Sequence, residues 1–398
     1  MDKDLEHSKL LFRMSLLLNV GLLIVFKYAN FAIESWNALN IWTIDSWTEI
    51  ALPIGISFFT FQSLSYTIDV YRKEERPLDS PFHYFIYIFS FPQMIAGPIV
   101  RFGAVAKELV TREFDRKGVE EGAERFIIGF AKKVVVANGI AASFPITGID
   151  DWTMTGAWLA LLAYTFQIYF DFSGYSDMAI GLGRILGFNF PENFNRPYSA
   201  KSFNEFWRRW HMTLSFWMRD YLYIGLGGNR NGVGQTYANL LAVFVISGFW
   251  HGASWNFLFW GLYHGLFLII ERLFLSNLLL KLPAFLSKLW TFFWVLIGWG
   301  IFALVDDVER SRLFGALVNR QDEFTWEALA GWQGWGPGSV LMALALILTI
   351  LPAYALWERL VHGSGPRWWR YVAYSCLLVI SLAELSGSTF NPFIYFRF

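Results

Sequence analysis

Residues 244–261 have the sequence FVISGFWHGASWNFLFWG, in which one histidine, His251, stands among aromatic and aliphatic side chains. Apolar residues continue on both sides, so 237–252 and 254–275 are each long enough to cross the bilayer core, which takes roughly 20 residues of helix. The run does not alternate apolar and polar residues, as a strand of a membrane barrel would. It therefore predicts two neighbouring transmembrane helices.

The whole chain has the composition of an integral membrane protein. Of its 398 residues, 55% are hydrophobic and 16% are charged, whereas soluble domains carry about 25% charged residues. The formal net charge is zero, which gives no support for a nucleic-acid partner, and a single cysteine excludes an intrachain disulfide and a cysteine metal site. The other predicted spans are 10–33, 51–70, 82–100, 123–144, 155–172, 289–305, 339–357 and 368–386.

These spans predict an all-α fold, a polytopic transmembrane bundle of about ten membrane segments plus re-entrant or interfacial helices. No linker divides the chain, so 1–398 is predicted to be a single membrane domain. The first span follows an acidic lead-in, is long and lacks a small-residue cleavage site, which favours a membrane helix over a signal peptide.

Span 82–100, FHYFIYIFSFPQMIAGPIV, contains Pro92 and the pair Gly97-Pro98, which interrupt helical hydrogen bonding. Basic residues flank it at both ends, and a single crossing would place one group on the side that the positive-inside rule disfavours. The segment is therefore predicted to be broken, and a re-entrant hairpin would resolve the conflict of charge.

The segment FNEFWRRWHMTLSFWMRD, residues 203–220, is too short and too charged to cross lipid. Ser202 and Glu205 form the S-x-x-E pattern of a capping box, and apolar residues recur at helical spacing until the glycines after residue 224. We expect one helix that lies at the interface or dips into the protein. His211 is then a candidate active-site residue, although Arg208 and Arg209 beside it also fit a plain interfacial anchor.

His251 is the other candidate, because a histidine at membrane depth can stay neutral and a neutral imidazole can act as a general base. A structural role within the bundle is the alternative. The remaining histidines have simpler interpretations, solvated for His7 and His362, a snorkelling or capping residue for His83 and a hydrogen-bonded interior imidazole for His264.

A third polar group lies in YTFQIYFDFSGYSDM, residues 164–178. Buried polar side chains need partners, so the group could hold helices together by hydrogen bonds or could line a substrate passage. The pattern favours the structural role for Asp171 and leaves both roles open for Tyr175 and Asp177.

Two histidines, basic residues and an apolar bundle are consistent with acyl transfer. One imidazole would take the proton of an acceptor hydroxyl that attacks a thioester, and Asn256, Trp255 or His211 could stabilise the oxyanion. The candidates for the phosphates of coenzyme A are the cations Lys201, Arg208, Arg209 and Arg230. Trp250 and Trp255 are expected to pack beside His251 and are candidates for binding substrate or lining a reaction chamber. Acetyl-coenzyme A is expected as a substrate, with no bound cofactor and no metal.

Five stretches, 52–72, 91–102, 164–198, 203–230 and 247–265, resemble the membrane-bound O-acyltransferase family, in particular its alginate O-acetyltransferase-like branch. The ending NPFIYFRF is similar to that branch too. The resemblance implies that His251 is the catalytic histidine of the W-H-G motif and His211 the second active-site residue, in R-W-H. It places the motif core at 52–265 and the C-terminal helices at 289–398.

The resemblance further implies a multi-pass protein of the bacterial inner membrane, in contact with lipid, whose helices enclose a central reaction chamber with passages to both faces. It implies a cytoplasmic acetyl donor and an exported polysaccharide acceptor, reached directly or through a periplasmic acetylating partner. The branch usually has further apolar segments before 52–72, where this chain has one, so a shortened or misassigned start is expected.

Three alternatives stay open at this point. The same fold transfers D-alanine to teichoic acids in a related branch. A polysaccharide or lipid transporter would need no chemistry, although the paired broken helices and internal repeats typical of transporters are not evident here. A scaffold subunit of an export complex would need no histidine.

Overall fold

The computed structural model describes residues 2–44, 46–319, 337–350 and 367–387, and the regular secondary structure of these residues is helical throughout. This confirms the predicted all-α class. The helices are α1 (Asp2–Asn37), α2 (Ile56–Tyr71), α3 (Pro81–Phe89), α4 (Phe91–Met94), α5 (Phe102–Val110), α6 (Arg116–Ala131), α7 (Asn138–Ser143), α8 (Met154–Ile185), α9 (Phe203–Trp207), α10 (Met212–Trp217), α11 (Val233–His251), α12 (Trp255–Ile270), α13 (Ser276–Lys281), α14 (Ala284–Ala303), α15 (Asp307–Val318), α16 (Pro337–Ile350) and α17 (Arg367–Gly387). Turns of π-helix, Lys132–Ala137, Met218–Tyr223 and Glu271–Leu275, continue α6, α10 and α12.

Five helical stretches in the described residues are long and apolar enough to cross a membrane: Glu6–Asn37, Arg116–Ser143, Val233–His251, Trp255–Lys281 and Ala284–Ala303. Each overlaps a predicted span. Of the other predicted spans, 51–70 overlaps α2, 155–172 lies in α8 and 368–386 lies in α17, whereas 339–357 begins in α16 and runs outside the described residues after 350. The total number of crossings stays a prediction.

Span 82–100 is interrupted, as Pro92 and Gly97 predict. Helix α3 ends at Phe89, the short α4 ends at Met94, and Gly97 has a φ of +98° in the non-helical chain that follows. Side chains form hydrogen bonds with some of the backbone groups that the interruption leaves without helical partners. Gln93 donates to the carbonyl of Tyr87 (2.7 Å), and the N–H of Ile99 donates to Thr213 Oγ1 (2.9 Å).

The buried centre of the protein is α8, which packs along α6. Glycines on the two helices face each other. A Cβ on Gly181 would lie 2.5 Å from the carbonyl oxygen of Gly122, and one on Gly174 would lie 2.7 Å from that of Gly129. Close backbone approach through small residues is how membrane helices gain packing without a hydrophobic driving force. Helices α11 and α12 pack on one another, and α11 ends at His251.

Candidate active site

His211 lies at a break in the chain and not inside a helix. The expectation of one helix from residue 203 to the glycines was wrong, because α9 ends at Trp207, α10 begins at Met212 and His211 between them is left-handed, with φ 42° and ψ 53°. The capping residue is as predicted, since Ser202 Oγ accepts from the N–H of Glu205 (3.1 Å). The Glu205 carboxylate, however, accepts from the N–H of Lys201 (2.8 Å).

The break is imposed by a distant loop. The N–H of Met212 donates to the carbonyl of Asn193, and the N–H of Asn195 donates to the carbonyl of Arg209, both at 2.9 Å. These bonds replace helical ones on both sides of His211. The left-handed conformation costs a residue with a Cβ about 1–2 kcal/mol, and it turns the imidazole into the interior, where His211 is fully buried.

Asn193 fixes the protonation pattern of His211. Its Oδ1 lies 3.0 Å from His211 Nδ1 and also accepts from Thr213 Oγ1 (2.9 Å), while its Nδ2 donates to the carbonyl of Gly97 (3.4 Å). The amide is thereby oriented with oxygen toward the imidazole, which assigns the proton to Nδ1 and the lone pair to Nε2. Burial lowers the pKa of His211 to about 3, so the ring is neutral at neutral pH.

His251 is the last residue of α11 and is 5% exposed. Its ring contacts those of Trp250, Trp260 and Phe302, at centroid distances of 4.9, 5.1 and 5.3 Å. Trp250 also contacts the ring of His211, at 6.1 Å. The structure thus brings the two predicted histidines to one indole.

The first helix secures the end of α11. The ammonium of Lys27 donates to the carbonyl of Trp250 and to Ser57 Oγ (3.2 Å), and the hydroxyl of Tyr28 donates to the carbonyl of Phe249 (2.9 Å). The last carbonyls of a helix have no intrahelical donor and carry its negative dipole end, so a cation there is stabilising. The sequence analysis did not identify Lys27, although a lysine inside an apolar span indicates a functional or structural role.

The predicted oxyanion donors differ in placement. Asn256 is buried, but its Nδ2 faces the carbonyl of Ile301 (3.5 Å) and its Oδ1 accepts from Ser254. Trp255 is 52% exposed and rests on Phe31 of α1. Trp255 therefore lies at the surface of the described residues, and its role as a substrate-binding or chamber-lining residue stays a prediction.

The acidic residues of α8 pair with cations of the α6 helix. Asp171 lies 2.5 Å from Lys133, and Asp177 bonds Lys132 (2.6 Å) and Arg125 (2.8 Å). These contacts favour the interhelical role that the sequence left open for Asp177. Tyr175 is half-buried against the same core.

A polar cavity of about 50 Å³ adjoins this ion-pair group. Lys132 and Asp177 line it together with Ser173, Ser176 and Asn193, so it extends to the residue that orients His211.

The four predicted phosphate-binding cations are divided between two environments. Arg209 is held by Glu205 (2.6 Å) and the carbonyl of Asn195 (3.3 Å). Arg208, Lys201 and Arg230 are exposed to the surroundings. Of the four predicted cations, one is therefore held in an ion pair, and a soluble ligand could reach the other three.

Apolar helices that can cross a bilayer, together with two buried imidazoles at one indole, define the class of this protein, a multi-pass membrane protein with an interior histidine site. The chain belongs to the membrane-bound O-acyltransferase family, whose model matches residues 8–305, and it is an O-acyltransferase.

Three relatives indicate the range of the family around this chain. A probable alginate O-acetylase of Azotobacter vinelandii is 38% identical over 413 residues, covering 94% of this chain and 82% of the relative. A peptidoglycan O-acetyltransferase of Helicobacter pylori is 38% identical over 330 residues, covering 74% and 62%. A teichoic acid D-alanyltransferase of Bacillus subtilis is 31% identical over 237 residues, covering 56% and 59%.

Proposed function

We propose that this O-acyltransferase passes an acetyl group from a cytoplasmic thioester to the O-acetylation of an exported, alginate-like polysaccharide, with His251 as general base. The observation that carries the proposal is the burial of His251 and His211 against one indole, Trp250, in a membrane protein of this family. Relatives at 38% identity are named for acetyl transfer to two different bacterial glycans, which supports acetyl as the group that is moved.

The chemistry follows from a neutral imidazole. His251 removes the proton of the acceptor hydroxyl while that oxygen forms a bond to the thioester carbon, and the carbonyl π pair moves onto the carbonyl oxygen. Collapse of this intermediate re-forms the C=O bond and breaks the C–S bond, and the leaving thiolate takes the proton from the imidazolium. His211 keeps its proton at Nδ1 through Asn193 and is proposed to position the acceptor beside His251.

Acetyl-coenzyme A is the proposed donor, with its phosphates at the exposed Arg208. The acceptor is the polymer or a periplasmic partner protein that passes the acetyl group on, which places the protein in the bacterial inner membrane. A reaction centre inside the bilayer would let donor and acceptor approach from opposite faces.

The test uses cells that export the polymer and carry this chain as their sole O-acyltransferase of the family. His251→Ala should abolish ester-linked acetate on the polymer while the protein stays folded in the membrane, and the exposed His7→Ala should leave it unchanged. Normal acetylation with His251→Ala would rule out the catalytic assignment. If alkaline treatment of the polymer released D-alanine and no acetate, the proposed acetyl transfer would be rejected in favour of D-alanyl transfer.

A further inference from the structure

Two buried tryptophan rings adjoin His251. Trp250 and Trp260 are 3% and 1% exposed, and their rings are neighbours of the imidazole at 4.9 and 5.1 Å. Neither Nε1 has a hydrogen-bond acceptor among the residues that the structure describes. An indole N–H can only donate, and a buried one ordinarily finds an acceptor. Two rings that contact His251 thus carry buried hydrogen-bond donors without a described protein acceptor, which a ligand oxygen could satisfy.

Other indoles do have acceptors within the fold. Buried Trp217 donates to the carbonyl of Phe61 (3.1 Å), and Trp158 donates to the carbonyl of Leu317 (3.2 Å). Trp207 and Trp299 are two further cases, since their Nε1 atoms also have no described acceptor, but their rings contact Trp260 and not His251. Position beside His251 is therefore what distinguishes Trp250 and Trp260.

Both indoles are held rigidly. Phe61 stacks on Trp250 at 5.3 Å and 11°, and Trp299 stacks on Trp260 at 6.2 Å and 26°. Donors that packing fixes in place need no reorganisation when charge develops on a reacting oxygen. A rigid donor pair without a protein acceptor is the arrangement expected of an oxyanion site.

We infer that the N–H groups of Trp250 and Trp260 bind the carbonyl oxygen of the acyl thioester, and this rests on the proposed function. When the acceptor oxygen bonds to the carbonyl carbon, the π pair becomes a lone pair on the carbonyl oxygen, and the two N–H groups stabilise that charge. On collapse the pair returns to the C=O bond, the C–S bond breaks, and the indoles keep their protons. This role replaces the one predicted for Trp255 and Asn256.

The experiment compares phenylalanine variants of the full chain in lipid nanodiscs, with acetyl-coenzyme A as donor and exported polymer as acceptor. Trp250→Phe and Trp260→Phe should each lower kcat about 100-fold, the effect of removing one oxyanion donor, while the KM for acetyl-coenzyme A changes little. Their thermal midpoints should fall less than that of Trp217→Phe, because all three changes remove ring volume from the core but only Trp217 loses a satisfied hydrogen bond.

Two matched variants provide the controls. Trp217→Phe should lower the midpoint and keep kcat per folded protein, and Trp207→Phe should keep kcat. If Trp250→Phe and Trp260→Phe keep kcat while His251→Ala abolishes transfer, the oxyanion role is rejected and the proposed function stands. If His251→Ala is itself active, the proposed function is rejected.

Discussion

Asn193 Oδ1 lies 3.0 Å from Nδ1 of His211, so an asparagine 18 positions earlier in the chain decides which nitrogen of that imidazole carries the proton. The same oxygen accepts from Thr213, and the backbone of Asn193 bonds Met212 on the other side of the histidine. One residue therefore sets the conformation, the orientation and the tautomer of His211.

Asn193→Ala should lower both stability and activity. The change leaves the buried donors of His211 and Thr213 without their acceptor, at about 1–3 kcal/mol each, and frees the imidazole to adopt the other tautomer. Acetyl transfer per folded protein should fall at least about tenfold. Asn195→Ala is the control, because that side chain is exposed and only its backbone bonds Arg209. Equal activities of the two variants would contradict the positioning role.

The stability of the protein should depend on pH through His211. Its folded pKa of about 3 lies below the ordinary 6.5, so the unfolded chain takes up the proton first as the pH falls. The stabilisation is complete above about pH 6.5 and is lost toward pH 3, at up to about 1.4 kcal/mol per pH unit. Unfolding in detergent should show wild type losing stability relative to His211→Gln between pH 6 and pH 4. A constant difference would exclude a buried neutral ring.

Arg208→Gln should raise the KM for acetyl-coenzyme A about fivefold with kcat unchanged, since one exposed charge-assisted contact is worth about 1 kcal/mol. Arg209→Gln should act mainly on stability, because that guanidinium is held by Glu205. Steady-state kinetics at low salt separates the two. Exposed Arg116, which pairs with Glu120, provides a neutral comparison. An unchanged KM would return Arg208 to interface anchoring.

Lys27→Met should lower kcat about tenfold, because the carbonyls at the end of α11 lose the cation that fixes them next to His251. Lys27→Arg retains the charge and the donors and should recover most of the activity. Lys9→Met, on the same helix in a surface pair with Glu6, should have no effect. A Lys27→Met protein that is poorly folded but fully active per folded molecule would assign Lys27 to stability alone.

Gly181→Ala should cost about 1–3 kcal/mol of stability, because the new methyl group meets the backbone of Gly122 and forces α6 and α8 apart. Gly21→Ala is the matched change, since nothing lies within 4 Å of a Cβ there. Thermal midpoints in the same detergent compare the two. Similar midpoints would mean that the helices separate at little cost.

Local patterns predicted the helices and the two histidines. The apolar runs predicted the all-α class, and Pro92 and Gly97 predicted the interrupted span. His251 was selected as a candidate because it is a histidine in an apolar stretch. These features depend on residues within one or two helical turns, so a single sequence carries them.

The parts that the sequence could not supply depend on distant contacts. The helical spacing of Phe203, Phe206 and Trp210 runs unbroken toward His211, and the break comes from hydrogen bonds to Asn193 and Asn195. Trp260 looks like any core aromatic until its ring is found beside His251. Trp255 stands in the same aromatic-rich run as the buried Trp250 and is exposed.

The bond from Lys27 to the carbonyl of Trp250 joins positions 223 residues apart, which has a consequence for biosynthesis. Ribosomes deliver α1 to the bilayer long before α11 emerges, so the lysine spends most of translation with a temporary partner. The active centre is completed only when the late hairpin of α11 and α12 docks against a helix inserted near the beginning. A nascent chain that stalls before that hairpin would sit in the membrane without His251 and without the acceptor carbonyl for Lys27.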